Sequence, residues 1–181
     1  MLKYFLLTCS ILTSLMIDAA PINPVTGETE NCMYIMEKQT KKLFMGIEIR
    51  TDNQKCLVDM PQVWGKFFQE KILEKIPHKV SNTVFALYAD YDDDYTKPYS
   101  YILGCEVSTL DNIPEGLVGK VVPASSYAVF STQGAYPQSL GTTWQAIWKS
   151  PLKRAYTYDF EVYTPDFNPQ TKPEVKVYIA L

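Results

Sequence analysis

The sequence predicts an α+β domain of two similar halves, and three observations support this fold class. Short stretches of alternating apolar residues indicate strands, and two longer stretches with apolar residues three or four positions apart indicate helices. These segments follow the order strand, strand, helix, strand, strand, and then repeat it. The 181 residues, 46% of them hydrophobic, are enough for one packed core. Two antiparallel half-sheets would carry the helices on one face and leave the other face to form a cleft.

The N-terminus has the pattern of a secretory signal peptide over residues 1–20. Lys3 precedes an apolar run, and small residues end the segment at Ala20. The run of about 14 residues is shorter than the roughly 20 that cross a bilayer, so we expect cleavage near Ala20 and no stable membrane anchor. An uncleaved anchor is the alternative. The mature protein would be periplasmic or secreted, with a flexible polar leader over residues 21–30 and one domain over residues 31–181.

The strands of the first half are predicted in two pairs. Residues 32–37 and 43–50 form a hairpin around a polar turn, and residues 83–91 and 99–108 flank the acidic segment 90–94. That segment lacks the glycine and the final glutamate of an EF-hand loop, so we favour an acidic turn over the alternative of a cation site. The strands of the second half cover residues 118–123, 126–133, 155–163 and 174–181.

Each half contains one helix. The first begins at Asp59, whose carboxylate can accept hydrogen bonds from free backbone N–H groups, and ends at Pro77. The second begins at Ser139 or Thr142 and ends at Pro151. Both helices carry an aromatic pair at four-residue spacing, which places each pair on one helix face. These pairs are Trp64/Phe68 and Trp144/Trp148, of which we assign Trp64 and Trp148 to the core.

Charge and cysteine content exclude several function classes. The net charge is −3 with a pI near 5.2 and no Lys/Arg cluster, so we expect no nucleic-acid partner. After processing, three cysteines remain, and an odd count in an exported protein suggests one disulfide and one free thiol. We predict a Cys32–Cys56 bridge between the outer ends of the first hairpin and a buried Cys105. One histidine, His78, and no close cysteine pair predict no metal site of the usual zinc spacing.

Several stretches, taken in order, resemble the GyrI-like small-molecule-binding domains. These are also the effector-binding domains of AraC-type and multidrug-responsive bacterial transcription activators. The pattern Y-x-Y-x-x-G-x-E-V over residues 99–107 is similar to one strand of that family, and E-x-Y at Glu161 and Tyr163 is similar to another. The remaining stretches that carry the resemblance are residues 64–68, 86–91, 113–116, 127–130 with Gly134, and 174–179. No helix-turn-helix pattern accompanies them here, so we expect no role in transcription.

The resemblance implies duplicated, SHS2-like β-α-β-β units that enclose a ligand pocket between the two halves. It also implies that Glu161 projects into the pocket, as the corresponding glutamate of drug-sensing members does toward lipophilic cations. Tyr163 shares the strand face of Glu161 because side chains alternate along a strand. Glu174 matches a second acidic position of some members, although Lys176 follows where an aromatic residue is expected. Further candidate ligand-binding residues are Tyr88, Tyr101, Glu106 and Trp144, with the facing of Glu106 left open.

Two functions follow from a carboxylate in a tyrosine-lined pocket. As an anion it can pair with a desolvated cation while tyrosine faces add cation–π attraction, which predicts an exported domain that binds an aromatic or lipophilic small molecule. With a pKa raised by burial it can serve as a general acid or base. The alternative is therefore a hydrolase of cyclopropane-type electrophiles, as the resemblance to some stand-alone members implies, with Glu161 and Tyr127 as catalytic residues. Haem or tetrapyrrole capture is a weaker third hypothesis because the lone His78 follows Pro77. We expect a monomer without a cofactor.

Overall fold

One antiparallel sheet organises the protein. The computed structural model describes residues 34–181, and in this part of the chain eight strands and three helices form an α+β fold, as predicted. The strands are β1 Ile35–Gln39, β2 Lys42–Thr51, β3 Val84–Ala89, β4 Tyr99–Val107, β5 Val118–Val122, β6 Ser125–Ser131, β7 Tyr158–Tyr163 and β8 Lys176–Ala180. The predicted signal peptide (1–20), leader (21–30) and Cys32 lie outside the described residues and remain predictions.

The strand order shows the predicted duplication. It reads β1-β6-β8-β7-β3-β4-β2-β5, and exchanging β1 with β5, β2 with β6, β3 with β7 and β4 with β8 maps this order onto its own reverse. The two halves meet where β3 pairs with β7, with Ala86 opposite Glu161. A single continuous sheet therefore joins two equivalent sets of strands.

The predicted first hairpin is wrong. β1 pairs with β6, and β2 pairs with β4 and β5, so β1 and β2 are not neighbours. The physical reason lies in the two-residue link between β1 and β2. Tight two-residue hairpins need a positive φ, which Asn and Gly adopt readily, and neither Thr40 nor Lys41 has a positive φ. The equivalent link between β5 and β6, Pro123 and Ala124, also lacks positive φ, and there too the chain passes to the other half.

The helices begin earlier than predicted, and the first is interrupted. They are α1 Cys56–Gln69, α2 Ile72–Lys75 and α3 Gln138–Lys149. Asp52 accepts hydrogen bonds at 2.9 Å from the backbone N–H groups of Gln54 and Lys55, so it supplies the turn into α1 that was assigned to Asp59. Lys71 has a φ of 52°, which ends the first helical segment well before Pro77. None of the three described helices is long and apolar enough to cross a membrane.

The two faces of the sheet bury different cores. We call the face that carries α1 and α3 the helix face and the other the curled face. On the curled face the rings of Phe44 in β2 and Phe160 in β7 lie 6.2 Å apart, although β4 and β3 separate these strands. Contact across two intervening strands requires a strongly curled sheet. The cavity described below lies on the helix face, so the predicted cleft on the helix-free face is wrong.

Two sequence features remain to be placed. Cys105 is fully buried, as predicted, and burial raises the pKa of its thiol to about 11. Cys56 lies at the start of α1, but its predicted partner, Cys32, lies outside the described residues, so the bridge stays a prediction. The bridge was predicted from a hairpin of β1 with β2, and these two strands do not pair.

The acidic turn after β3 binds its own basic neighbours. Asp90 accepts a hydrogen bond from Lys120 at 2.6 Å, and Asp92 pairs with Arg50. Asp94 accepts from the backbone N–H and hydroxyl of Thr96. These carboxylates therefore point at separate partners. Across residues 34–181, no three His, Cys, Asp or Glu side chains gather in a metal-binding cluster.

Candidate ligand-binding site

A cavity of about 160 Å³ lies between α1, α3 and the helix face of the sheet. Both halves contribute to it, because β3, β4 and α1 line one side and β7 and α3 line the other. Seven of the 13 tyrosines and all three tryptophans reach its wall, and this accounts for much of the aromatic content of the chain. These aromatic residues are Tyr88, Tyr91, Tyr95, Tyr99, Tyr101, Tyr136, Tyr163, Trp64, Trp144 and Trp148.

Glu161 is the buried carboxyl group of this cavity. It lies in the middle of β7 and is 2% exposed. Its Oε1 accepts hydrogen bonds from the Tyr88 hydroxyl at 2.8 Å and from Trp144 Nε1 at 2.7 Å, and its Oε2 accepts one from the Tyr163 hydroxyl at 2.6 Å. All three donors are neutral, and no ion pair among residues 34–181 involves Glu161.

Burial and hydrogen bonding shift the pKa of Glu161 in opposite directions. Burial raises the pKa of its carboxyl above the ordinary 4.5, while the hydrogen bonds from Tyr163, Trp144 and Tyr88 act to lower it. Burial and the nearby Glu161 charge raise the pKa values of Tyr88 and Tyr163 well above 10, so both hydroxyls stay protonated and can donate. The site therefore orients a carboxylate without neutralising it.

A second buried carboxylate on the same strand is neutralised. Asp159 precedes Glu161 by two residues, shares its strand face and is fully buried. Its Oδ2 accepts hydrogen bonds from Arg154 Nη2 at 2.7 Å and from the Tyr91 hydroxyl at 2.8 Å. Its Oδ1 accepts from the Ala180 backbone N–H at 2.8 Å. Asp159 thus has both a cationic partner and a structural role in joining β7 to β8.

Five of the predicted site residues come together in this cavity: Glu161, Tyr163, Tyr88, Tyr101 and Trp144. The Tyr101 hydroxyl accepts a hydrogen bond from Trp64 Nε1 at 2.9 Å, which links it to α1. Alternation along β3, β4 and β7 brings the strand residues to one face, and the helical spacing of α3 brings Trp144 above them.

Three other predicted residues do not lie in the cavity, and this part of the site prediction is corrected. Glu106 lies opposite Phe44 on the curled face and pairs with Lys42 at 2.9 Å. Tyr127 packs on the curled face against Phe160, with ring centroids 5.2 Å apart. Glu174 is exposed and precedes β8. The proposed catalytic pair of Glu161 and Tyr127 is therefore divided between the two faces of the sheet.

Sequence reasoning missed several cavity residues. Tyr99 could have been found, because it alternates with Tyr101 in β4. Trp148 was assigned to the core, but it is half-buried and stacks on Tyr95 at 5.8 Å along the cavity wall. Tyr95, Tyr136 and Arg154 lie in connections between elements, where no periodicity indicates the direction of a side chain.

The fold, a curled eight-stranded antiparallel sheet with few helices, matches that of solved neighbours from the effector-binding family. The chain belongs to the family described as Cass2, integron-associated effector binding protein, whose model matches residues 35–181. The resemblance to GyrI-like effector-binding domains is thus confirmed for fold and family.

Individual relatives agree with this assignment. The chain is 25% identical over 147 residues to YobU of Bacillus subtilis, provisionally named a transcriptional regulator, covering 77% of this chain and 92% of YobU. An integron cassette protein from the mobile metagenome of Vibrio cholerae is 26% identical, with a TM-score of 0.61 over 81% of this chain and 94% of its own. The protein SAV2435, solved bound to tetraphenylphosphonium, has a TM-score of 0.65 over 82% of this chain and 93% of its own. At 16% identity, SAV2435 shows the shared fold alone.

Proposed function

We propose that this protein binds a lipophilic organic cation in the cavity, with Glu161 as the countercharge. One observation carries the proposal: Glu161 is a buried carboxylate with three neutral donors and no ion pair in residues 34–181, while its neighbour Asp159 has Arg154. A buried charge without a counterion is costly, and a bound cation would offset that cost.

The cavity walls favour an organic cation over a small hydrated one. Aromatic faces attract cations by roughly 0.5–2 kcal/mol each in such settings, and they replace water poorly around a metal ion. The rings of Tyr88 and Trp144 lie 5.0 Å apart beside the carboxylate, so a ligand at Glu161 would contact both. The tetraphenylphosphonium bound to SAV2435 is a lipophilic cation of this kind, which supports the proposal at the level of the shared fold.

The size of the cavity suggests how a ligand would enter. At about 160 Å³ it is smaller than the roughly 300–1,000 Å³ typical of drug-sized sites. Trp144 and Trp148 on α3 are half-buried, whereas Tyr88 and Tyr101 on the sheet are buried. We therefore expect the indole side chains of α3 to move on binding while the sheet residues keep their positions.

Isothermal titration calorimetry with tetraphenylphosphonium tests the proposal on wild-type protein and on Glu161→Gln. The amide keeps the shape of the side chain but removes its charge, so affinity should fall roughly 30-fold or more, about 2 kcal/mol, as for other buried charge pairs. Glu174→Gln is the matched control, because Glu174 is an exposed carboxylate outside the cavity, and it should bind like wild type. Equal affinity of the Glu161→Gln variant and wild type would exclude Glu161 as the countercharge.

A further inference from the structure

Arg154 presents hydrogen-bond donors that the protein does not use. Its side chain is 4% exposed and lines the same cavity as Glu161. Nη2 donates to Asp159, but Nε and Nη1 are buried and have no acceptor in the part of the chain that the structure describes. A guanidinium carries five N–H donors, and buried donors without acceptors are rare in proteins because each costs free energy.

The surroundings of Arg154 limit where an acceptor can come from. The Tyr156 ring lies 4.5 Å from the guanidinium carbon, which covers one face of the group but offers no in-plane acceptor. Asp159 already accepts from Nη2, from the Tyr91 hydroxyl and from a backbone N–H. Hydrogen bonds from Thr96 to Asp94 Oδ1, and to a smaller extent the charge of Arg154, lower the pKa of Asp94. Within the described residues, however, Nε and Nη1 of Arg154 donate to no acceptor. Because Arg154 lines the cavity, a group bound there is a source of the missing acceptor.

We propose that Arg154 forms a subsite that donates a hydrogen bond to an oxygen of the ligand. The cavity would then take a ligand with a cationic group and an anionic oxygen group such as a carboxylate. The cation lies at Glu161, and the oxygen accepts from one of the two unpaired donors of Arg154, Nε or Nη1. This inference rests on the proposed function, because it adds a second pole to the same site. Asp159 and Glu161 are two strand residues apart, so the two ligand groups are separated by roughly 7 Å or slightly more.

The neighbouring Asp159 sets the expected size of the effect. Its carboxylate offsets the charge of Arg154, so a ligand oxygen gains one hydrogen bond from a nearly neutral pair and not the full attraction of a free guanidinium. Hydrogen bonds with a charged donor contribute about 1.5–3 kcal/mol, and we therefore expect a preference of at least about tenfold for a ligand that carries the oxygen group.

A matched pair of phosphonium ions tests the subsite. (4-Carboxybutyl)triphenylphosphonium carries both poles, and pentyltriphenylphosphonium carries the cation alone with a chain of similar length. Calorimetry on the full chain should show at least about tenfold tighter binding of the carboxylated ion. Arg154→Lys keeps a positive charge beside Asp159 but removes the fixed planar donors that can serve Asp159 and a ligand at the same time, so the preference for the carboxylated ion should fall. Arg50→Lys, which changes an arginine outside the cavity, should keep the wild-type preference.

The outcomes separate this inference from the proposed function. If wild-type protein binds both phosphonium ions equally, the subsite is refuted and cation binding stands. If neither ion binds, the proposed function fails and the two-pole ligand with it. A preference that persists undiminished in a folded Arg154→Lys variant assigns the oxygen group to another residue. Should that variant not fold, wild-type protein still decides, and Glu161→Gln should weaken both ions by a similar factor while keeping the preference.

Discussion

Glu161 and Asp159 are two residues apart on one strand, but the protein surrounds their charges differently. Asp159 has an arginine, a tyrosine hydroxyl and a backbone N–H as partners. Glu161 has two tyrosine hydroxyls and an indole N–H. The first arrangement neutralises the carboxylate, and the second only orients it. A cost in folding free energy at Glu161 is therefore expected whenever it is ionised without a ligand.

This cost predicts a pH dependence of stability. The folded protein has a raised Glu161 pKa, so between the unfolded value near 4.5 and the folded value it binds more protons than the unfolded chain. Wild-type stability should therefore fall as the pH rises through this window, by about 1.4 kcal/mol for each pH unit between the two values. Glu161→Gln should lack this decline. Urea unfolding over a pH series, analysed as the difference between variant and wild type, measures it.

Glu174→Gln is the control for this experiment. Its carboxylate is exposed, so the variant should keep the wild-type decline. If the Glu161→Gln variant loses stability with rising pH as steeply as wild type does, the raised pKa of Glu161 is not the cause.

The residue scale also shows what the sequence could predict about the site. Tyr163 followed from Glu161 because alternation fixes which strand neighbours share a face. The face of Glu106 stayed open and Tyr127 was misplaced, because alternation does not say which of the two faces a strand turns toward the helices, and this depends on partner strands far along the chain. Arg154 lies in a connection between elements, where no periodic pattern exists to indicate its direction.

Among the secondary structure elements, the paired strands β2 and β4 approach each other closely at two glycines. Gly46 and Gly104 are directly opposite each other in this pair. A Cβ atom at Gly104 would overlap the backbone carbonyl of Met45, and one at Gly46 would overlap that of Leu103. The close approach of the two backbones therefore requires glycine at both positions.

Substitution at this pair of glycines should be destabilising. Gly104→Ala should lower the free energy of unfolding by about 1–3 kcal/mol, since the added methyl group forces the two backbones apart. Gly65→Ala is the contrasting variant: it lies inside α1, nothing is within 4 Å of its added Cβ, and alanine should stabilise the helix by up to about 1 kcal/mol. Urea denaturation of both variants gives opposite signs. A neutral Gly104→Ala would show that the strands can separate freely here.

The sequence was enough to locate the strands and helices, but it was not enough to predict which strands pair. Apolar alternation located all eight described strands, and the spacing of Trp64/Phe68 and Trp144/Trp148 located α1 and α3, although the interruption after Gln69 was not predicted. The pairing of β1 with β6 could not be read from periodicity, because it depends on a partner in the other half. The lack of Gly, Asn or Asp at positions 40 and 41 was the local signal against a hairpin.

At the scale of the whole molecule, the two halves are interlocked. The first half gives β1 to the second and receives β5 from it, and β3 pairs with β7 across the junction. Both halves also contribute to the cavity: Tyr88 and Tyr101 come from the first half, and Trp144 and Glu161 come from the second. Neither the complete sheet nor the full set of three hydrogen bonds to Glu161 can form within one half, because the Tyr88 donor comes from the first half and Glu161 from the second.

This interlocking predicts that neither half folds alone, despite the internal repeat. A fragment of residues 34–110 would retain β2, β4 and β3 but leave β1 without β6 and β3 without β7, exposing Phe85 and Tyr88 at the broken junction. A fragment of residues 111–181 would leave β6 without β1, β5 without β2 and β7 without β3. Each should therefore show no near-UV circular dichroism and no cooperative thermal transition, because unpaired edges and an uncovered core cannot offset the conformational entropy of folding. Mixing the fragments should restore both signals, which also serves as the control for chemical integrity. Cooperative unfolding of either fragment by itself would show that the exchanged strands are an addition to an independent half and not a requirement for it.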